Sequence, residues 1–399
     1  MEAFSQRRAQ IRRWLAEAGC HSAGAAQAAA LATRPAKEHG IAEATLRGRW
    51  RGRAEALGFS DCALAGCLHR AAPVPLTASQ VDRIEAWLVS PDGLTRGVST
   101  FTRLDVLRGV CDALGSGGSV AEIERLADRF LDGNKEVRLV AARPRRRGVA
   151  GGGWGGLLPM DQVCYSTREL LAVEHQVVAC GLRRRQQGAG VVPAAALDEA
   201  LRTHARLMEQ ETQAGRSPWR LGAEQIVMVE ALVTSGDGVQ LVNAKAGSGK
   251  TSALQAARLA WEGAGFRVVG AALAARAAQE LRDGAGIQAS TIARLLGDLD
   301  RHPGEGLDAS SVLVVDEAGM VGTRALARLL GHAERAGAKV VLCGDLGQLP
   351  EIDAGGVFRS LWRRLGGAEL EHNRRQQQGW ERAALDALRA GDAAAAIAR

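Results

Sequence analysis

The spacing of apolar positions changes character about halfway along the chain. In the first part they recur at helical intervals. Residues 4–18 (FSQRRAQIRRWLAEA) bring Phe4, Ile11, Trp14 and Leu15 close to one helical face, and further helices are predicted over 21–33 and 43–57. Pro73 and Pro75 interrupt the pattern. An amphipathic stretch then opens at Ser79 and stops at the turn sequence Ser90-Pro91-Asp92-Gly93. Helices are predicted over 101–114, 119–132, 166–186 and 194–213. Residues 143–159 (RPRRRGVAGGGWGGLLP) join an arginine block to a run of glycines, which suits a loop or insertion and no regular core element.

From residue 221 short β-branched runs alternate with helical stretches. Val239–Asn243 leads to a helix from Lys250, and Arg267–Ala271 to a helix through Arg276 and Leu281. Ser311–Val315 leads to a helix near 323–330, and Lys339–Cys343 to a loop. This alternation predicts an α/β domain, a parallel sheet with helices on both faces, preceded by a mainly helical region. Ligands on such sheets lie at the carboxyl ends of the strands.

Charge adds a second asymmetry. The chain has 51 Lys+Arg against 44 Asp+Glu over 399 residues. Residues 1–220 hold 31 of the basic and 23 of the acidic residues, while 221–399 hold 20 and 21. Blocks such as Arg145-Arg146-Arg147 and Arg183-Arg184-Arg185 suit a polyanion partner, and they equally suit a solvated face. The basic N-terminus has no apolar signal region, and no run approaches the ~20 apolar residues that cross a bilayer. Seven scattered cysteines without a CxxC pair read as reduced thiols, so a cytoplasmic protein is expected. Cys62, Cys67 and His69 lie close together, but no fourth ligand is at hand and a zinc site is not expected.

Three segments carry the chemistry. Ala244-Lys245-Ala246-Gly247-Ser248-Gly249-Lys250-Thr251 sits between a strand and a helix with the spacing GxxxxGK[ST], alanine replacing the first glycine. The backbone N–H groups of Ala246, Gly247, Ser248 and Gly249 are placed to cradle a phosphate, with Lys250 on the β- and γ-oxygens and the Thr251 hydroxyl on Mg2+. Val312–Val315 runs into Asp316-Glu317, where Asp316 would hold Mg2+ through water and Glu317 would polarise the attacking water. Val340–Cys343 runs into Gly344-Asp345-Leu346-Gly347-Gln348, and Gln348 can hydrogen-bond a γ-phosphate.

The ordered set of Gln225, AKAGSGKT, VVDEAG, GDLGQLP and NRRQ resembles the superfamily 1 helicases of the RecD-like group. Residues 234–281 and VLVVDEAGMVGTRALARLL are similar, more closely still, to the helicase portion of MobF-type (TrwC/TraI-like) conjugative relaxases. The N-terminal helices and YSTREL at Tyr165 resemble the region before that motor. The resemblance is firm from about 215 to 395 and looser before.

It implies a RecA-like P-loop ATPase lobe over 216–366, with ATP and Mg2+ as cofactors. Single-stranded DNA would be the partner, alongside other proteins of the conjugation machinery. The preceding organisation would be a helical region over 1–142, a basic linker or insertion over 143–165 and a helical lead-in over 166–215. By the same resemblance Gln225 would read adenine, and Arg375 would reach the γ-phosphate across a cleft between lobes. Gly270–Ala275 with Ser290 and Thr291 would touch the strand backbone.

Relaxases nick DNA with a tyrosine and a three-histidine metal site. One tyrosine, Tyr165, and eight scattered histidines do not supply that constellation, so a nicking centre is not expected. Only 23 residues follow Gln376, so 367–399 is expected to be the start of an incomplete second lobe, and the chain a piece of the motor cut at both ends. Two functional readings stay open: a DNA-dependent ATPase, or a module that binds single strands while its nucleotide pocket is idle. A small GTPase is disfavoured, because no N/TKxD segment follows the phosphate loop.

Overall fold

Alternate residues of the two most apolar strands feed opposite cores. Val312 and Val314 join one hydrophobic cluster and Leu313 and Val315 the other; Val341 and Cys343 join the first, Val340 and Leu342 the second. All eight are fully buried, as strands covered on both faces require. The computed structural model describes residues 7–17, 29–30, 32–34, 41–68, 76–115, 117–133, 137–140, 163–213, 220–302, 304, 306–348, 353–374, 376, 378–389 and 391–397.

The chain divides into two units, Met1–Ala72 and Pro73–Arg399. The division falls inside the stretch 1–142 that the sequence groups together. The first unit carries helices α1 (Arg7–Glu17), α2 (Glu43–Ala56) and α3 (Asp61–Leu68). Helix α2 is arginine-rich and buries no residue.

The second unit begins with α4 (Ala78–Val89), α5 (Arg103–Ala113) and α6 (Val120–Gly133). Thr77 caps α4 in a reciprocal box with Gln80. Val81, Leu88, Val106, Val110, Leu126 and Phe130 close a small core on Phe101. Strands β1 (Val137–Val140) and β2 (Cys164–Thr167) pair antiparallel, with Leu139 opposite Tyr165. Most of the predicted 143–165 linker lies outside the described residues. Its end is a strand, and the helix expected from 166 starts at Arg168, because the Thr167 hydroxyl caps it by accepting from Leu170 N at 3.3 Å.

Helices α7 (Arg168–Arg183), α8 (Ala194–Gln213) and α9 (Ala223–Thr234) lead to the sheet. Six parallel strands follow: β3 (Val239–Ala244), β4 (Arg267–Ala272), β5 (Gln288–Thr291), β6 (Ser311–Asp316), β7 (Lys339–Gly344) and β8 (Ala368–Leu370). Their spatial order is β5-β4-β6-β7-β3-β8. Helices α8, α9, α10 (Lys250–Gly263) and α11 (Ala275–Ala285) cover one face. Helices α7, α12 (Ile292–Arg301), α13 (Thr323–Ala336) and α14 (Val357–Leu365) cover the other. Residues 379–389 and 393–397 form α15 and α16.

The expected α/β sheet is therefore present, with two additions. Strand β5 is four residues long, and β8 is three. Neither carries a β-branched run. Strand β8 pairs with β3, so the sheet continues past the expected 366 boundary.

Within the second unit a polar seam ties the small helical core to the sheet. Arg324 on α13 donates to Glu169 Oε1 at 3.0 Å, to Thr95 O at 2.8 Å and to Thr95 Oγ1 at 2.9 Å. Ser99 Oγ donates to Gly355 O at 2.7 Å.

Candidate nucleotide-binding site

Between β3 and α10 the chain must reverse tightly enough to aim several N–H groups inward. Gly247 and Gly249 adopt φ of 80° and 81°, the left-handed region where a side chain is strained. Gly249 is the N-cap of α10, so the helix dipole points into the loop. The loop is held from outside: Lys245 N donates to Leu370 O at 3.1 Å and Arg374 N to Gly247 O at 2.8 Å.

Lys250 is the first residue of α10, and its Nζ donates to Asp316 Oδ1 at the end of β6. The two side chains are 22% and 14% exposed. Burial pulls the Lys250 ammonium down, but Asp316, Cys343 and Glu317 together hold it above its ordinary value. Cys343, buried beneath the pair on β7, has its thiol pushed up to about 12 by that burial.

Glu317 follows Asp316 with φ of 53°, one of two non-glycine residues with positive φ among those described. Its N–H donates to Asp316 Oδ1 at 2.8 Å. The left-handed turn takes the Glu317 side chain off the strand direction. Strain at such a point is a common mark of a functional residue.

The Thr251 methyl faces α11 so closely that a Cβ on Gly284 would come 2.5 Å from Thr251 Cγ2. Ser248 is buried, and its Oγ has no hydrogen-bond partner. An orphaned hydroxyl inside a phosphate-type loop is a donor awaiting an acceptor. The oxygens offered by Thr251 and Asp316 are hard donors, and one or two carboxylates with substrate phosphates suffice to hold Mg2+. The residues present fit that ion.

The other predicted residues fall at varied distance from this centre. Gln225, on α9, is buried, with Oε1 accepting from Gly222 N at 2.9 Å and Nε2 donating to Gly249 O at 2.8 Å. Its visible work is to brace the phosphate loop. Gln348 is exposed, on a loop whose Leu346 N donates to Asn243 Oδ1 at 3.1 Å. Arg375 lies outside the described residues.

Of the segment Gly270–Ala275, Gly270, Ala271 and Ala272 are buried, and only the positions from Leu273 onward are exposed. Thr291 is the cap of α12, accepting from Arg294 N at 3.3 Å. Sequence reasoning missed the part of Asp345, a buried acid at the end of β7. Its place inside the third motif was the available signal.

A parallel sheet with a glycine-built loop at the end of β3 and an acidic strand end two positions away defines a P-loop NTPase. Family comparison agrees: the AAA domain matches residues 220–399, and the TrwC relaxase matches residues 1–57. The chain is 40% identical over 232 residues to the conjugal transfer protein TraA of Rhizobium radiobacter, covering 56% of this chain and 19% of that protein. It is 38% identical over 219 residues to a probable TraA of Sinorhizobium fredii, 54% of this chain and 18% of that protein. It is 38% identical over 122 residues to the RecBCD enzyme subunit RecD of Mycolicibacterium smegmatis, 28% of this chain and 22% of that protein.

With a TrwC relaxase match ahead of an AAA domain, and with TraA and RecD among its relatives, the chain resembles a MobF-type relaxase joined to a RecD-like helicase module. It spans about a fifth of the length of the curated relatives it matches. The relaxase match over 1–57 contains no tyrosine.

Proposed function

We propose that this chain binds ATP at the β3–α10 loop and hydrolyses it as part of a single-stranded-DNA-dependent motor. The observation that carries the reading is the Lys250–Asp316 pair, which brings the phosphate-loop lysine and the acidic strand end together across β7. An incoming triphosphate would draw Lys250 from Asp316 to its β- and γ-oxygens, leaving the Asp316 carboxylate open. When bound there, Mg2+ would neutralise charge developing on the phosphates. Asp316 and the Thr251 hydroxyl would hold that ion. Glu317 would accept a proton from the attacking water, and Gln348 would sit beside the γ-phosphate. Gln225 would brace the loop and, with its remaining amide proton, face the base. Arg375 would act at the γ-phosphate from the NRRQ segment. In the cell the chain would work in the cytoplasm, on DNA in transfer and alongside other transfer proteins. No helix among the described residues is long and apolar enough to cross a membrane.

Phosphate release by the purified chain, with and without single-stranded DNA, tests this directly beside Lys250→Ala and Glu317→Gln. Glu317→Gln should keep nucleotide binding and lose roughly 10²–10⁴-fold in turnover, the usual worth of a general base. Wild-type release equal to that of Lys250→Ala would replace the motor reading with that of an idle, strand-binding module.

A further inference from the structure

The mechanism above gives Asp345 no task, yet its carboxylate accepts three hydrogen bonds. It sits at the head of the loop that carries Gln348, with 2% of its side chain exposed. Gly347 N donates to its Oδ1 at 2.9 Å, and the adjacent Leu346 N donates to Asn243 Oδ1, on β3 just before the phosphate loop, at 3.1 Å. Arg389 completes the set from the last turn of α15, with Nη1 on Oδ2 at 2.9 Å and Nη2 on Oδ1 at 2.5 Å. This is a two-pronged guanidinium–carboxylate grip, the geometry that fixes orientation as well as distance.

The grip lies flat on the loop: a Cβ on Gly347 would come 2.7 Å from Arg389 Nη2. Burial alone would raise the Asp345 carboxyl, but Arg389, Gly347 and Ala246 hold it below the usual carboxylate range. A residue 44 positions downstream thus grips the head of the Gln348 loop, which is itself tied to the strand that feeds the phosphate loop.

We propose that Arg389 is a positioning residue for hydrolysis: by clamping Asp345 it sets the Gln348 loop in register with the β3 end that feeds the phosphate loop, so that turnover depends on where α15 lies. The proposal rests on the ATPase reading above. A displacement of α15 would withdraw the fork, free the loop at Gly347 and leave Gln348 without a fixed height over the γ-phosphate. Nucleotide would still bind, because Lys250 and the loop amides do not need Arg389.

The test compares the whole chain with Arg389→Ala, Arg389→Lys and Asp345→Asn. Phosphate release, ADP affinity, melting temperature and hydrogen exchange of the segment 344–348 are read on each. A hydrogen bond to a charged group is worth roughly a tenfold to hundredfold factor, so kcat should fall by about that much in Arg389→Ala, with KM and ADP affinity within about twofold. Lysine should restore part of kcat only, since an ammonium cannot fork. Segment 344–348 should exchange faster in Arg389→Ala without nucleotide present.

Unchanged kcat, or ADP affinity and melting temperature falling in step with kcat, overturns the proposal. Unchanged exchange at 344–348 overturns it whatever the turnover. A wild-type chain that releases no phosphate removes the ATPase reading, and the exchange comparison then judges the clamp alone.

Discussion

Replacing Lys250 by alanine removes the pair with Asp316 and, on the proposed function, a contact that holds the nucleotide. Removing one partner of a fully buried ion pair costs about 3–5 kcal/mol. Here Lys250 and Asp316 keep 22% and 14% exposure, and Asp316 retains the Glu317 N–H bond at 2.8 Å. That partial solvation and surviving donor reduce the expected loss to about 2 kcal/mol. For a unit of this size, with about 2.1 cal/mol/K of unfolding entropy per residue, the melting temperature should then fall by about 3 °C.

Mg-ATP at a hundredfold excess over its dissociation constant should stabilise the wild type by about 2.7 kcal/mol, which is ~4 °C. The variant should show the first drop and lack the second rise. Differential scanning fluorimetry with and without Mg-ATP reads both numbers from one pair of melts. Lys250→Met, which keeps most of the stem, separates the lost charge from the lost packing. A variant that melts with the wild type would refute the pairing. A variant that rises as far with Mg-ATP would refute the lysine's place at the phosphates.

Two further outcomes are expected. Lys339 on β7 is buried, donates to the carbonyls of Ala189 and Asp237, and has its ammonium lowered by that burial from 10.5 to about 8. The folded protein therefore holds fewer protons there than the unfolded chain between pH 8 and pH 10.5. The charge costs the fold about 3 kcal/mol below that window, and the cost fades as pH rises through it. Cys180 and Cys343, with thiols raised to about 11 and about 12, act in the opposite sense above pH 9. The comparison is thus the stability of wild type minus Lys339→Met in urea melts, which should grow steadily more favourable from pH 8 to pH 10.5; a difference independent of pH would refute it. For single-stranded DNA, a plot of log affinity against log salt should slope more steeply than about −3, at about −0.7 per phosphate neutralised, and a flat line would mean the arginine blocks are only solvated surface.

The alternation of β-branched runs with helical stretches, and the residues at the run ends, were enough to place β3, β4, β6 and β7 and to single out Lys250, Thr251, Asp316 and Glu317 as candidates. Those features are local. A strand buried on both faces must be apolar throughout, a loop at φ of 80° must be glycine, and both constraints are written in adjacent residues. What the sequence could not show depends on residues far apart in number. Strands β5 and β8 are too short and too mixed to announce themselves and exist because β4 and β3 offer them an edge. Gln225 bracing Gly249, and Arg389 forking onto Asp345, are likewise contacts across 24 and 44 residues. No periodicity reports such a contact, because hydrogen bonds between distant side chains are decided only when the packed core fixes which helix end meets which loop.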